Sequence, residues 1–116
     1  MSRRRLADVD PDAPVGTIVA ALARGPYDDR VDGAGDVEVA VVRHAGGWVM
    51  VADRCTHADC PFTLDGEVFD GTVLVCNCHG SEYDLRTGEV LLGPAEVPLV
   101  PVPLEADGAG LRPAHG

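Results

Sequence analysis

Cys55-Thr56-His57-Ala58-Asp59-Cys60 and Cys76-Asn77-Cys78-His79-Gly80-Ser81-Glu82-Tyr83-Asp84 are the two stretches that decide what this chain can be. They hold all four cysteines and two of the four histidines, with eighteen residues between His57 and Cys76. Each box offers one Cys and one His at short range, and one additional Cys. Three chemistries use such residues. Zinc takes two Cys and two His, but ordinarily pairs the cysteines in one knuckle and the histidines in the other, whereas both boxes here are mixed. A thiol redox pair wants two residues between its cysteines and a βαβ setting; Cys76 and Cys78 have one residue between them. A [2Fe–2S] centre in which two His replace two Cys on one iron needs one Cys and one His from each of two loops. The mixed boxes supply that set.

At this point the sequence resembles the Rieske family, whose pattern is C-x-H, a gap of comparable length, then C-x-x-H. The resemblance implies one [2Fe–2S] cluster per chain, with Cys55 and Cys76 on one iron and His57 and His79 on the other. Some members carry two further cysteines at the places of Cys60 and Cys78, and there these form a disulfide between the cluster loops. In the same high-potential group a Ser and a Tyr at the places of Ser81 and Tyr83 donate hydrogen bonds to cluster or ligand sulfur. Gly93-Pro94-Ala95 resembles the family's proline loop, which covers the cluster. That group usually has Leu-Gly where this chain has Ala58-Asp59, and Pro where it has Asn77. A smaller, negative loop implies a wetter cluster of lower potential. The likeness is good over about residues 37 to 104 and weaker over 4 to 21.

Outward from the boxes the chain reads as short strands and frequent turns. Val37, Val39 and Val41 alternate, Ala45-Gly46-Gly47 turns, and Trp48 to Ala52 returns, which predicts a hairpin. Asp65-Gly66, Asp70-Gly71 and Thr87-Gly88 are turn signals around the apolar runs Thr72 to Cys76 and Glu89 to Leu92. Gly16 to Ala21 reads as a strand. Val97 to Leu104 carries three prolines, which predicts an edge strand or extended segment. Gly25 to Asp36 reads as an exposed loop, and no long helix is expected. The fold class is all-β, a small sandwich or barrel. With the resemblance, it is a Rieske fold: a base from residues 1–52 and 86–107, an inserted cluster-binding subdomain at 53–85, and a loose tail at 108–116.

Lys plus Arg is 9 against 19 Asp plus Glu, a formal charge of −10. Phosphate binding needs a basic face, so nucleic acid is excluded as a partner. An acidic surface favours a redox partner with a basic docking patch. No apolar stretch approaches the roughly 20 residues of a membrane helix. Arg3 to Arg5 precede Asp8, Asp10 and Asp12 where a signal peptide would begin its apolar stretch. A cytoplasmic protein is therefore expected. Trp48 is expected in the core, and His44 and His115 in solvent. The function expected is one-electron transfer without catalysis by the chain alone, as a soluble Rieske ferredoxin or an electron-transfer subunit of a larger oxidoreductase, such as a molybdenum enzyme. Alternatives are the ferredoxin component of an oxygenase system and a structural zinc module. A Rieske oxygenase catalytic subunit is disfavoured by length, and a membrane-anchored subunit by the lack of an anchor helix.

Overall fold

The hairpin of β3 (Asp36–His44) and β4 (Gly47–Ala52) is the wall on which the molecule is built. Its strands are apolar on both faces, so each face can close a separate core. Val39, Val41, Trp48 and Met50 point to one side, and Ala40, Val42, Val49 and Val51 to the other. A computed structural model provides these coordinates and describes residues 4–24, 36–56 and 60–114.

One sheet has the order β1-β2-β3-β4-β9-β10, with β1 at Arg4–Arg5, β2 at Ile18–Arg24, β9 at Val102–Asp107 and β10 at Gly110–Pro113. β1 runs parallel to β2, and the other pairings are antiparallel. A single 3-10 turn at Leu6–Asp8 follows β1 at one edge and packs against β10 at the other. The sheet therefore curls into a half-barrel. At the closure Gly110 lies against the Ala7 carbonyl with no room for a Cβ. Val9, Ala21, Ala23, Leu104 and Leu111 fill the inside with Trp48 and Met50. Trp48 is in this core, as expected, with Nε1–H donating to the Pro11 carbonyl at 3.0 Å and the Arg43 guanidinium 5.8 Å from its ring centre.

The second sheet is β5 (Gly66–Phe69), β6 (Val73–Cys76), β7 (Ser81–Asp84) and β8 (Val90–Leu92), antiparallel throughout. Leu74 and Tyr83 on its inner face pack on the other side of the wall with Phe62, Leu85, Ala95 and Leu99. Each such side chain contributes roughly 1.5–3 kcal/mol by leaving water. The Phe62 and Tyr83 rings meet edge to face at 5.8 Å. The only helix among the described residues besides the 3-10 turn is α1, Phe62–Asp65. None is long and apolar enough to cross a membrane.

Four expectations need correction or placement. His44 is buried at 7% exposure, because its ring folds back over its own turn and Nδ1 accepts the Gly46 N–H at 3.0 Å. Of the proline-rich stretch, residues 97–101 lie outside any strand, and the strand that it enters is not an edge. β9 starts at Val102 and lies between β4 and β10. Pro98 and Pro101 precede it, and Pro103 lies beyond Leu104, the last residue that pairs with β10. Within the expected tail, residues 110–113 form β10, because Leu111 fills the half-barrel; His115 and Gly116 lie outside the described residues. Of the loop expected at Gly25 to Asp36, Asp36 opens β3 and residues 25–35 also lie outside them.

Candidate metal centre

Three segments meet at one end of the second sheet. The first runs from the end of β4 to α1. Asp53 is buried there, and it accepts the Thr63 N–H on Oδ1 (2.9 Å) and the Thr63 hydroxyl on Oδ2 (2.7 Å). Pro61 stands at the N-cap of α1 without a side-chain oxygen, so Asp53 supplies the missing acceptor from a distance. Further along, the Cys55 N–H donates to the Cys60 carbonyl at 2.9 Å, folding this segment into a loop. The second segment is the turn between β6 and β7, which pairs Cys76 with Ser81 across its base. Gly80, at φ 82°, makes that turn and donates its N–H to the Cys76 carbonyl at 2.7 Å. The third is the segment after β8, with a cis bond at Gly93–Pro94.

Cys55 and Cys76 are both buried thiols outside any disulfide, each within hydrogen-bonding reach of the other. Burial pushes the Cys76 thiol up, while the backbone N–H groups of Cys78 and His79 pull it down. Those two amides are donors in place for a thiolate. Cys60 and Cys78 are joined in a disulfide, as the resemblance implied. The ligand-type atoms of Cys60, Cys78 and His79 lie within 4.8 Å of one another, yet the sulfur–sulfur bond leaves no thiolate for a metal there. What this proximity shows is that the disulfide lies beside the exposed ring of His79. His57 lies with Ala58 and Asp59 outside the described residues.

The two hydroxyls singled out in the sequence are buried on the inner side of β7. The Tyr83 hydroxyl is 3.2 Å from Cys55 Sγ and 2.9 Å from Thr56 Oγ1. Burial, then the Cys55 thiol, pushes the Tyr83 phenol up to about 12, so it stays protonated. Ser81 Oγ accepts the Ala95 N–H at 3.1 Å, which leaves its own hydrogen for a second acceptor. Thr56 donates to the Val97 carbonyl at 2.6 Å, and so ties the first segment to the third. Neither Thr56 nor Asp53 was singled out in the sequence. Thr56 lies between two candidate ligands, which is a signal of place but not of role.

Two buried thiols side by side, amides aimed at one of them, and an exposed imidazole beside them fit a centre with thiolate and imidazole ligands. Residues 20–103, well over half the chain, match the Rieske [2Fe-2S] domain family. The chain belongs to that family. Its cofactor is a [2Fe–2S] cluster. The 3-phenylpropionate/cinnamic acid dioxygenase ferredoxin subunit of Escherichia coli K12 is 27% identical over 73 residues, which is 63% of this chain and 68% of that protein. The ubiquinol-cytochrome c reductase iron-sulfur subunit of Rickettsia typhi is 40% identical over 67 residues, 57% of this chain and 36% of that subunit. Among solved structures, the Sphingomonas yanoikuyae B1 ferredoxin superposes with a TM-score of 0.69 over 99% of this chain and 100% of that one. At 24% identity it supports the Rieske ferredoxin fold. A chain from the complex of reduced oxygenase and oxidized ferredoxin in carbazole 1,9a-dioxygenase gives a TM-score of 0.67 at 27% identity, covering 89% of this chain and 93% of that one.

Proposed function

We propose that this Rieske chain is a one-electron carrier whose cluster is held by Cys55 and Cys76 on one iron and by His57 and His79 on the other. The observation that carries the ligand set is the pair of buried thiols, within hydrogen-bonding reach of each other, on two loops that a disulfide joins. A bound cluster of this kind takes up one electron, within a window of roughly −150 to +300 mV. The protein's part is electrostatic and positional. Two neutral imidazoles in place of two thiolates remove two negative charges from the ligand set, so an added electron meets less repulsion. Amides of Cys78 and His79 and the hydroxyls of Ser81 and Tyr83 stabilise negative charge on sulfur. The exposed ring of His79 gives a short path to a docked partner.

The base of residues 1–52 and 86–107 and the subdomain of 53–85 divide these tasks, with the loops at 53–61 and 76–81 as the working end. The partner is read as an oxygenase component with a basic docking patch. Support comes from the ferredoxin subunit that matches over 68% of its length and from the net charge of −10. The disulfide supports a second reading, an electron-transfer subunit of a larger complex. A cytoplasmic location suits both. Purified protein should contain about two irons and two sulfides per chain, and the reduced form should give a rhombic EPR signal with a low average g. A colourless protein carrying one zinc would overturn the reading. An acidic carrier should also pass electrons to a basic partner at a rate that drops as salt is added.

A further inference from the structure

His44 ends β3 at the turn into β4, and β4 runs its whole length before the chain reaches the cluster loops. The two sites are therefore at opposite ends of the wall. His44 is only 7% exposed. Its Nδ1 accepts the Gly46 N–H at 3.0 Å, so the neutral ring carries its hydrogen on Nε2. No described residue accepts that hydrogen. A buried donor is costly to leave unmade, but this one is not sealed in. His44 lines an open cleft of about 240 Å³. Trp48, Val49, Pro103 and Leu104 give it apolar walls, and the largely exposed Arg86, from the turn after β7, completes the lining. Both sheets thus contribute to it.

The charges around the cleft favour an anion. Arg86 gives Nε and Nη2 to the Asp84 carboxylate at 3.3 and 3.2 Å, and its Nη1 has no partner among the described residues. Burial first, then the charges of Arg43 and Arg86, hold the His44 ring below its ordinary protonation range, with Asp84 opposing. A field that repels a proton from the ring attracts a negative group to it. The chain's −10 acts against this from a distance, but physiological salt screens it over about 8 Å.

We propose that this cleft binds a small carboxylate with an apolar body, its oxygens taken by His44 Nε2–H and Arg86 Nη1 and its body laid against Val49 and Pro103. Apolar walls with a few polar groups that fix orientation are the usual makeup of a ligand site. The volume restricts the guest, since sites for drug-sized ligands begin near about 300 Å³. The bound acid joins β3 of one sheet to the turn after β7 of the other, and so stabilises their junction. The site owes nothing to the reading of the metal centre.

The test is titration of oxidised holoprotein with sodium benzoate, followed by the nitrogen and proton resonances of the His44 ring and by thermal unfolding. Benzoate should shift the ring resonances saturably and raise the unfolding midpoint as its concentration rises. Benzamide, similar in shape but uncharged, should do neither. Acetate, which lacks the apolar body, should bind about tenfold more weakly than benzoate. Arg86→Gln should weaken benzoate about tenfold. Asp84→Asn removes the competing carboxylate and should tighten benzoate by about two- to fivefold. A cleft that had merely loosened would lose affinity in both variants. The proposal would be overturned by the absence of a saturable His44 shift up to about 10 mM benzoate. Equal binding of benzamide, unchanged affinity in Arg86→Gln, or a failure to tighten in Asp84→Asn would overturn it as well. Both variants should keep the wild-type iron content and EPR spectrum, since neither residue lies in the cluster loops. A wild type lacking the Rieske signal would bring down the cluster reading alone and leave this titration standing.

Discussion

Ser81 and Tyr83 both point at the centre, and each is fastened to the segment after β8. Ser81 takes its N–H from Ala95, and Tyr83 reaches Val97 through Thr56. Ser81→Ala and Tyr83→Phe are each expected to lower the potential while the cluster stays in place. A hydrogen bond to a charged group is worth roughly 1.5–3 kcal/mol, so the upper limit for one electron is on the order of 60–130 mV. Protein-film voltammetry would measure it, and unchanged potentials in both variants would remove the tuning role. His44 makes a separate prediction at the far end of the wall. Burial, then the nearby charges of Arg43 and Arg86, holds it below its ordinary 6.5, with Asp84 opposing. The folded state therefore favours the neutral ring, which is also the form whose Nδ1 accepts from Gly46. Its contribution is fully present above about pH 6.5 and is lost as pH falls below that value. His44→Asn keeps an acceptor and does not titrate. Thermal unfolding at pH 7.5 and 5.0 should show the wild type losing more stability than the variant.

The turn between β6 and β7 and the loop before α1 belong to different hairpins, and the Cys60–Cys78 bond is their covalent tie. It closes a loop of about 18 residues, for which chain entropy predicts about 3 kcal/mol. Cys60→Ser and Cys78→Ser should each assemble a cluster that is lost faster on heating, followed as bleaching of its visible absorption. Mass spectrometry finding two free thiols in native holoprotein would remove the premise. At this scale the sequence was a good guide where chemistry is local. The Val37-Val39-Val41 alternation lies in β3, the Gly46-Gly47 turn joins it to β4, and the Cys60–Cys78 disulfide that the resemblance implied is present. It was a poor guide where a role depends on a distant partner. Thr56 acquires its role from Val97, forty-one positions away, and His44 is buried by a turn that reads as solvent-exposed. Neither contact leaves a period or motif in the chain. Likewise, three prolines marked Val97 to Leu104 as an edge strand or extended segment; two of them do fall before the strand, but β9 itself is interior, and the third proline sits where pairing with β10 has ended.

The whole molecule carries −10, and a field of that size is felt beyond any single contact. Electron transfer to a small basic redox protein should slow by on the order of tenfold between low and physiological salt, as the screening length shortens to about 8 Å. Stopped-flow rates that do not change with salt would count against the basic partner. The wall formed by β3 and β4 has another consequence. The half-barrel core on one side contains no residue from β5, β6, β7 or β8, whereas the core on the other side contains both candidate thiolate ligands, Cys55 and Cys76. Loss of iron therefore injures one core and spares its neighbour. Starved of metal, the chain should keep slow amide exchange in β2, β3 and β4 while residues 66–92 exchange quickly. A newly made chain would then have a finished scaffold waiting before its iron arrives, with the cluster loops as the last part to set.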